Sequence, residues 1–181
     1  MLPRRLLHLR LLPTRRPGLK PVPNVLFLCT GNSARSIMAE AILNHRTQGR
    51  FRAYSAGSHP SGTPRPEALQ QLASAGISTD GLSSKSWDEF AAPGAPTMDF
   101  LFTVCDNAAA EPCPFWPGHP ASAHWGLPDP AAQTGSTEAI ARAFHEAFTI
   151  LDRRIQLFLA LPFETLTAAR LHAELERIGR A

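Results

Sequence analysis

Residues 24–40, NVLFLCTGNSARSIMAE, decide how the chain folds. The first six form a short apolar run without polar alternation, the pattern of a strand buried on both faces of a parallel sheet. From about Arg35 the period changes, and Ile37, Met38, Ala41 and Ile42 predict one apolar face of a helix. Between the two lie Gly31 and Asn32, residue types that tolerate left-handed backbone. A strand, a tight turn and a helix start make an anion site, because unpaired N–H groups converge where the helix dipole is positive.

Working outward, FRAYSAG (51–57) reads as a second strand closing at Gly57. RPEALQQLASAG (65–76) reads as a helix, with Pro66 in its first turn and Gly76 at its end. MDFLFTVC (98–105) is a third apolar strand running into Cys105. The prolines at 112, 114, 117, 120, 128 and 130 then forbid long regular structure, leaving room for a short strand near SAHWG (122–126). From Ser136 apolar positions recur at helical spacing until Pro162, and a final helix is expected to bury Leu171, Leu175 and Ile178. Strands alternating with helices predict an α/β fold, a single-domain parallel sheet with helices on both faces. Ligands of such sheets sit beyond the carboxyl ends of the strands, so Cys29 and Cys105 are expected to share one site.

The 181 residues, 44% hydrophobic and 18% charged, suit one soluble domain. No apolar run approaches the ~18 residues of a membrane-spanning helix, so no membrane is expected as a partner. The net charge of +3 misleads as a guide to partners. Residues 1–22 hold six Lys or Arg and no acid, and the remainder carries 12 basic against 15 acidic residues. The positive charge thus belongs to a Pro-rich tail, and nucleic acid is set aside. That tail reads as a disordered extension or an untranslated segment, with an organelle targeting role as the alternative. Residues 23–162 are expected to form the catalytic domain and 163–181 an additional helix with a packing role.

Cys29 stands at the strand end with Arg35 six positions later. The helix terminus and the guanidinium are expected to lower the thiol pKa and give a thiolate near neutral pH. Arg35 can grip two oxygens of a tetrahedral oxyanion. The plain alternative for Cys29 is a small buried hydrophobe. A zinc site from Cys105, Cys113, His119 and His124 is a rival that lacks structural zinc spacings. His124 and Trp125 are expected to pack a loop. Asp129 before Pro130 is either a turn former or a general acid.

With these residues in hand, VLFLCTGNSARSIMAE resembles the signature loop of the low-molecular-weight protein tyrosine phosphatase superfamily, over about Asn24 to Ala160. The resemblance implies that Cys29 attacks the oxyanion's central atom, Arg35 and the loop of Thr30, Gly31, Asn32, Ser33 and Ala34 bind its oxygens, Ser36 supports the thiolate, and Asp129 is the acid. TVCDNAAAEPCP and HWGLPDPA are in turn similar to the thioredoxin-coupled type of arsenate reductase on this fold, which uses two further cysteines. Ala131 and Ala132 follow Asp129-Pro130, where phosphatases of the family usually carry aromatics. The implied activity is reduction of arsenate, with phosphate as a competing oxyanion. It runs by a relay from Cys29 to Cys105 to Cys113 and is regenerated by thioredoxin or glutaredoxin. Alternatives are a phosphomonoesterase such as a tyrosine phosphatase, and a redox-sensing module without turnover. Seven residues separate Cys105 from Cys113, about one more than in the best-known relatives.

The same resemblance implies support for the loop. Some relatives hold a potassium ion with residues matching Asn32, Glu40 and Ser55, and Lys85 falls where a fourth, acidic ligand would be. A lysine ammonium there is expected to replace the ion, so neither metal nor cofactor is required; the alternative is a solvated surface lysine. Three cysteines without a secretory signal suit a reducing, cytoplasmic compartment.

Overall fold

A computed structural model describes residues 21–112 and 114–181 of the chain. The basic tail, up to residue 20, and Cys113 therefore lie outside the described residues. Strand β1 (Asn24–Cys29) is followed by helix α1 (Arg35–Arg46), β2 (Arg52–Gly57), α2 (Pro66–Ser74), α3 (Asp88–Ala91) and β3 (Phe100–Thr103). Then come α4 (Asp106–Ala110), β4 (Ala121–His124), a 3₁₀ turn (Pro130–Ala132), α5 (Thr137–Leu159) and α6 (Ala168–Gly179).

All four strands are parallel, in the order β2-β1-β3-β4. The apolar run of β1 is explained by that order, since β1 pairs on both edges and is covered on both faces. Val25, Phe27 and Cys29 face a core shared with α1, α2, α5 and α6. Leu26 and Leu28 face a smaller core with Ala56, Phe90 of α3, Met98 and Leu101. Each of the Val, Leu, Phe and Met side chains contributes roughly 1.5–3 kcal/mol when fully buried. Within the larger core runs an aromatic column, in which the rings of Phe102 and Trp125 stack at 3.9 Å and 10° and Phe158 meets both edge-on.

The chain winds one way from β1 to β2 and the other way from β1 to β3. Adjacent carboxyl ends therefore send their loops in opposite directions and leave a crevice between them. The residues after β1 and after β3 open into this crevice. That topology, rather than proximity in sequence, brings Cys29 and Cys105 together.

Three local features depart from the sequence reading. β3 ends at Thr103, and Cys105 instead caps α4, its Sγ accepting from the Ala108 N–H at 3.4 Å. α3 and the 3₁₀ turn are each too short to produce a period. Leu171 is half-buried, while Leu175 and Ile178 are fully buried on α6.

Candidate active site

The turn between β1 and α1 closes around the Cys29 sulfur. Asn32 takes a left-handed φ of 41°, which aims its backbone N–H at Cys29 Sγ, 3.1 Å away. Ser36 Oγ lies 2.8 Å from the same sulfur. Because that hydroxyl already accepts from Asn32 Nδ2 at 2.9 Å, its own proton is free to point at Cys29. The second Asn32 Nδ2 proton goes to Ser55 Oγ at 2.9 Å, and Ser55 donates to Glu40. Lys85 completes the cluster: its backbone N–H donates to Asn32 Oδ1 at 2.7 Å, and its Nζ lies 3.5 Å from Glu40 Oε2 and 2.9 Å from Ser83 O. Asn32, Ser36 and Ser55 are fully buried, and each of their side-chain polar atoms has a partner inside the protein.

Helix α1 starts at Arg35 with Ala34 as its cap and no side-chain cap bond. Its first N–H groups, with those of the loop, are thus the groups a bound oxyanion can use. The outer side of the loop is strapped by distant segments. His59 N–H donates to Thr30 O, Ser61 N–H to Gly31 O and Arg65 N–H to Ser33 O, at 2.9, 2.9 and 2.8 Å. Ser84 Oγ adds a bond to Gly31 O at 3.2 Å. Gly57, the register partner of Cys29, lets the loop approach, for a Cβ there would lie 2.4 Å from Thr30 O.

Arg35 reaches across the crevice, where Nη1 donates to Leu127 O at 3.0 Å and Nη2 pairs with Asp129 Oδ2 at 3.4 Å. Asp129 also caps the 3₁₀ turn, Oδ1 accepting from Ala131 N–H, so it is a turn former as well as a crevice residue. Arg35, Cys105, Asp106, Asn107, Leu127 and Asp129 line a cavity of about 470 Å³. Cys105 approaches the signature loop through Thr30, whose Oγ1 is 3.6 Å from Cys105 Sγ.

The expectation of a lowered Cys29 pKa is corrected. Burial pushes the thiol up, the neighbouring Cys105 adds to the rise, and the Ser36 and Asn32 hydrogen bonds only oppose it. Arg35 is turned toward Asp129 and Leu127, so its charge is engaged elsewhere. His124 does more than pack: Nδ1 bonds Thr103 Oγ1 at 2.8 Å and Nε2 bonds Asp106 Oδ1 at 2.9 Å, tying β4 to the start of α4. Trp125 is fully buried. Among the described residues no three His, Cys, Asp or Glu side chains group as a metal site, and no helix is long and apolar enough to cross a membrane.

Residues 24–174 match the family of low molecular weight phosphotyrosine protein phosphatases. The chain belongs to this family. Among family relatives, an arsenate reductase of Shouchella clausii is 34% identical over 134 residues, covering 74% of this chain and 93% of its own. A solved structure of an arsenate reductase in the phosphate binding state has a TM-score of 0.64 at 25% identity, covering 76% of this chain and 97% of that one. A thioredoxin-dependent arsenate reductase of Corynebacterium glutamicum has a TM-score of 0.53 at 27% identity, covering 76% of this chain and 64% of that one. The phosphatase-family fold thus accommodates reductases.

The sequence reading missed the role of Gly57, the straps at 59–65 and at Ser84 beside the expected Lys85, and Glu111, to whose Oε1 Thr30 donates at 3.3 Å. Glycine at the end of a strand beside a nucleophile loop was the available signal for the first. The straps and Glu111 carry no local signature.

Proposed function

We propose that this protein is an arsenate reductase of the low molecular weight phosphatase family, working by a three-cysteine relay. The observation that carries the reading is a second cysteine, Cys105, held against the signature loop by Thr30. The arsenate reductases among its relatives support the same assignment.

Arsenate is held by Arg35 and the N–H groups of the loop at Thr30, Gly31, Ser33 and Ala34, while the Asn32 N–H stays on the Cys29 sulfur. With the Cys29 thiol raised by burial, the arriving dianion is itself the base that takes its proton. The thiolate, met by the Ser36 hydroxyl and Asn32 N–H, attacks arsenic, and Asp129 protonates the departing hydroxide to water. Cys105 then attacks the Cys29 sulfur. The electron pair of the sulfur–arsenic bond passes to arsenic, arsenite leaves, and a Cys29–Cys105 disulfide remains. Attack of Cys113 on Cys105 frees Cys29, and an external dithiol protein, thioredoxin or glutaredoxin, reduces the Cys105–Cys113 disulfide in a reducing cytoplasm. Residues 23–162 carry this chemistry, and 163–181 add a packing helix.

The phosphomonoesterase reading needs only Cys29, Arg35 and Asp129, so the two are separated by electrons. Turnover is measured with arsenate plus each reductant, and in parallel with a chromogenic phosphate ester. Cys29→Ser abolishes both. Cys105→Ser and Cys113→Ser abolish multiple-turnover reduction and spare ester hydrolysis. Wild-type reduction rates through many turnovers in both variants reject the relay.

A further inference from the structure

Glu111 takes no part in the chemistry above, yet it is joined to it. It caps the C-terminal end of α4, its side chain is 25% exposed, and Thr30 Oγ1 donates to its Oε1 at 3.3 Å. The same hydroxyl lies 3.6 Å from Cys105 Sγ. The direction of this chain is fixed at both ends. Thr30 has one proton, and it goes to Glu111, so toward Cys105 the hydroxyl accepts. Cys105 Sγ in turn accepts from Ala108 N–H at 3.4 Å, which leaves its own S–H to point at Thr30.

We propose that Glu111 is the proton acceptor for Cys105, acting through the Thr30 hydroxyl as Cys105 becomes a nucleophile. The inference rests on the reading of Cys105 as the second thiol of the relay. The Cys105 proton moves to Thr30 Oγ1 while the Thr30 proton moves to Glu111 Oε1. One proton is transferred and no electrons; an intact hydroxyl and a carboxylic acid remain, and the electron pair left on sulfur forms the new bond. A carboxylate opposes a preformed thiolate nearby, so the proton leaves during the attack, which is general-base catalysis.

Other charged groups frame the chain. His59 Nδ1 is 4.0 Å from Glu111 Oε2, and Cys29 lies beside Cys105. Asp106 and His124 pair at the opposite end of α4, and Arg35 and Asp129 face Cys105 across the cavity. None of these is bonded to the Thr30 hydroxyl, which leaves Glu111 as its acceptor.

The test follows alkylation of Cys105 by iodoacetamide against pH, in the full chain with Cys113→Ser, by mass spectrometry of the Cys105 peptide. With Glu111 present the rate is nearly flat between about pH 6 and pH 8, as a carboxylate base predicts. Glu111→Gln and Thr30→Val lose the plateau and fall about tenfold per pH unit, as reaction through free thiolate requires. Thr30→Ser, which keeps the hydroxyl, keeps the plateau. Profiles that stay parallel in all variants, offset or not, overturn the proposal and leave Glu111 as a packing contact of α4. Arsenate turnover is assayed separately: its absence in the wild type rejects the reductase reading, while the alkylation profile still decides the role of Glu111.

Discussion

Arg35 Nη2 stands 3.4 Å from Asp129 Oδ2, so the residue assigned to oxyanion binding and the residue assigned as acid hold each other across the crevice. Asp129 is 41% exposed, and an exposed pair of this kind contributes only about 0.2–1 kcal/mol to stability. Asp129→Asn therefore leaves the melting temperature nearly unchanged and lowers kcat for arsenate reduction by about 10²- to 10³-fold. A kcat equal to that of the wild type removes Asp129 from the acid role.

Lys85 is expected to stand in for a cation beside Glu40. Burial holds the Glu40 carboxyl above its ordinary value, with Ser55 and Lys85 opposing the rise. A carboxyl raised in the folded chain favours folding while protonated and loses that contribution as pH rises from its unfolded to its folded value. Lys85→Ala raises Glu40 further and stretches this loss toward neutral pH. The variant melts below the wild type at neutral pH, and the gap narrows in acid, as thermal melts across pH will show. In the wild type, potassium and tetramethylammonium salts at equal ionic strength give the same melting temperature and turnover; a potassium-specific gain would assign the site to an ion instead.

Gly57 has no side chain to contribute, and that absence is its function. A Cβ at this position lies 2.4 Å from Thr30 O and 3.0 Å from Asn32 N, both backbone atoms that cannot step aside alone. Gly57→Ala displaces the signature loop, at a cost of about 1–3 kcal/mol in stability, and weakens phosphate binding at least tenfold. Calorimetric titration with phosphate measures the effect, and undiminished affinity means the loop does not lean on this strand end.

Oxidation is expected to undo α4. α4 begins directly after Cys105 and runs from Asp106 to Ala110, and a disulfide requires its two Cα atoms to come within roughly 4.4–6.8 Å, so the short segment 106–112 must fold back on itself to close Cys105 onto Cys113, in competition with the helical turn. The bonds at risk are those of Ala109 N–H to Cys105 O and Glu111 N–H to Asn107 O. Hydrogen exchange at these amides speeds up in the oxidised protein; equal protection in both redox states contradicts a Cys105–Cys113 disulfide.

Most of this architecture was legible because its signals are local. The apolar run at 24–29 and the helical period after Arg35 place Cys29 and Arg35, and the strand ends place Cys105 in the same crevice. What escaped the sequence depends on approach between distant segments. Gly57 matters only because β2 lies beside β1, and the straps from His59, Ser61, Arg65 and Ser84 exist only once the loop is closed. Glu111 lies next to Pro112, in a stretch without period. The Cys29 thiol was misjudged for the same reason. Its neighbours in sequence argue for a thiolate, whereas its burial, set by the whole fold, argues against one.

Trp125 offers a last consequence. Its indole lies flat on Phe102, its Nε1 is held by Leu175 O, its carbonyl is held by Arg154, and the next residue, Gly126, lines the crevice. Trp87 and Trp116 pack against the opposite core. With those two replaced by phenylalanine, the protein carries one tryptophan, buried directly beneath its crevice. Oxyanion arrival and thiol chemistry can then be followed in real time as changes in emitted light, with no added label.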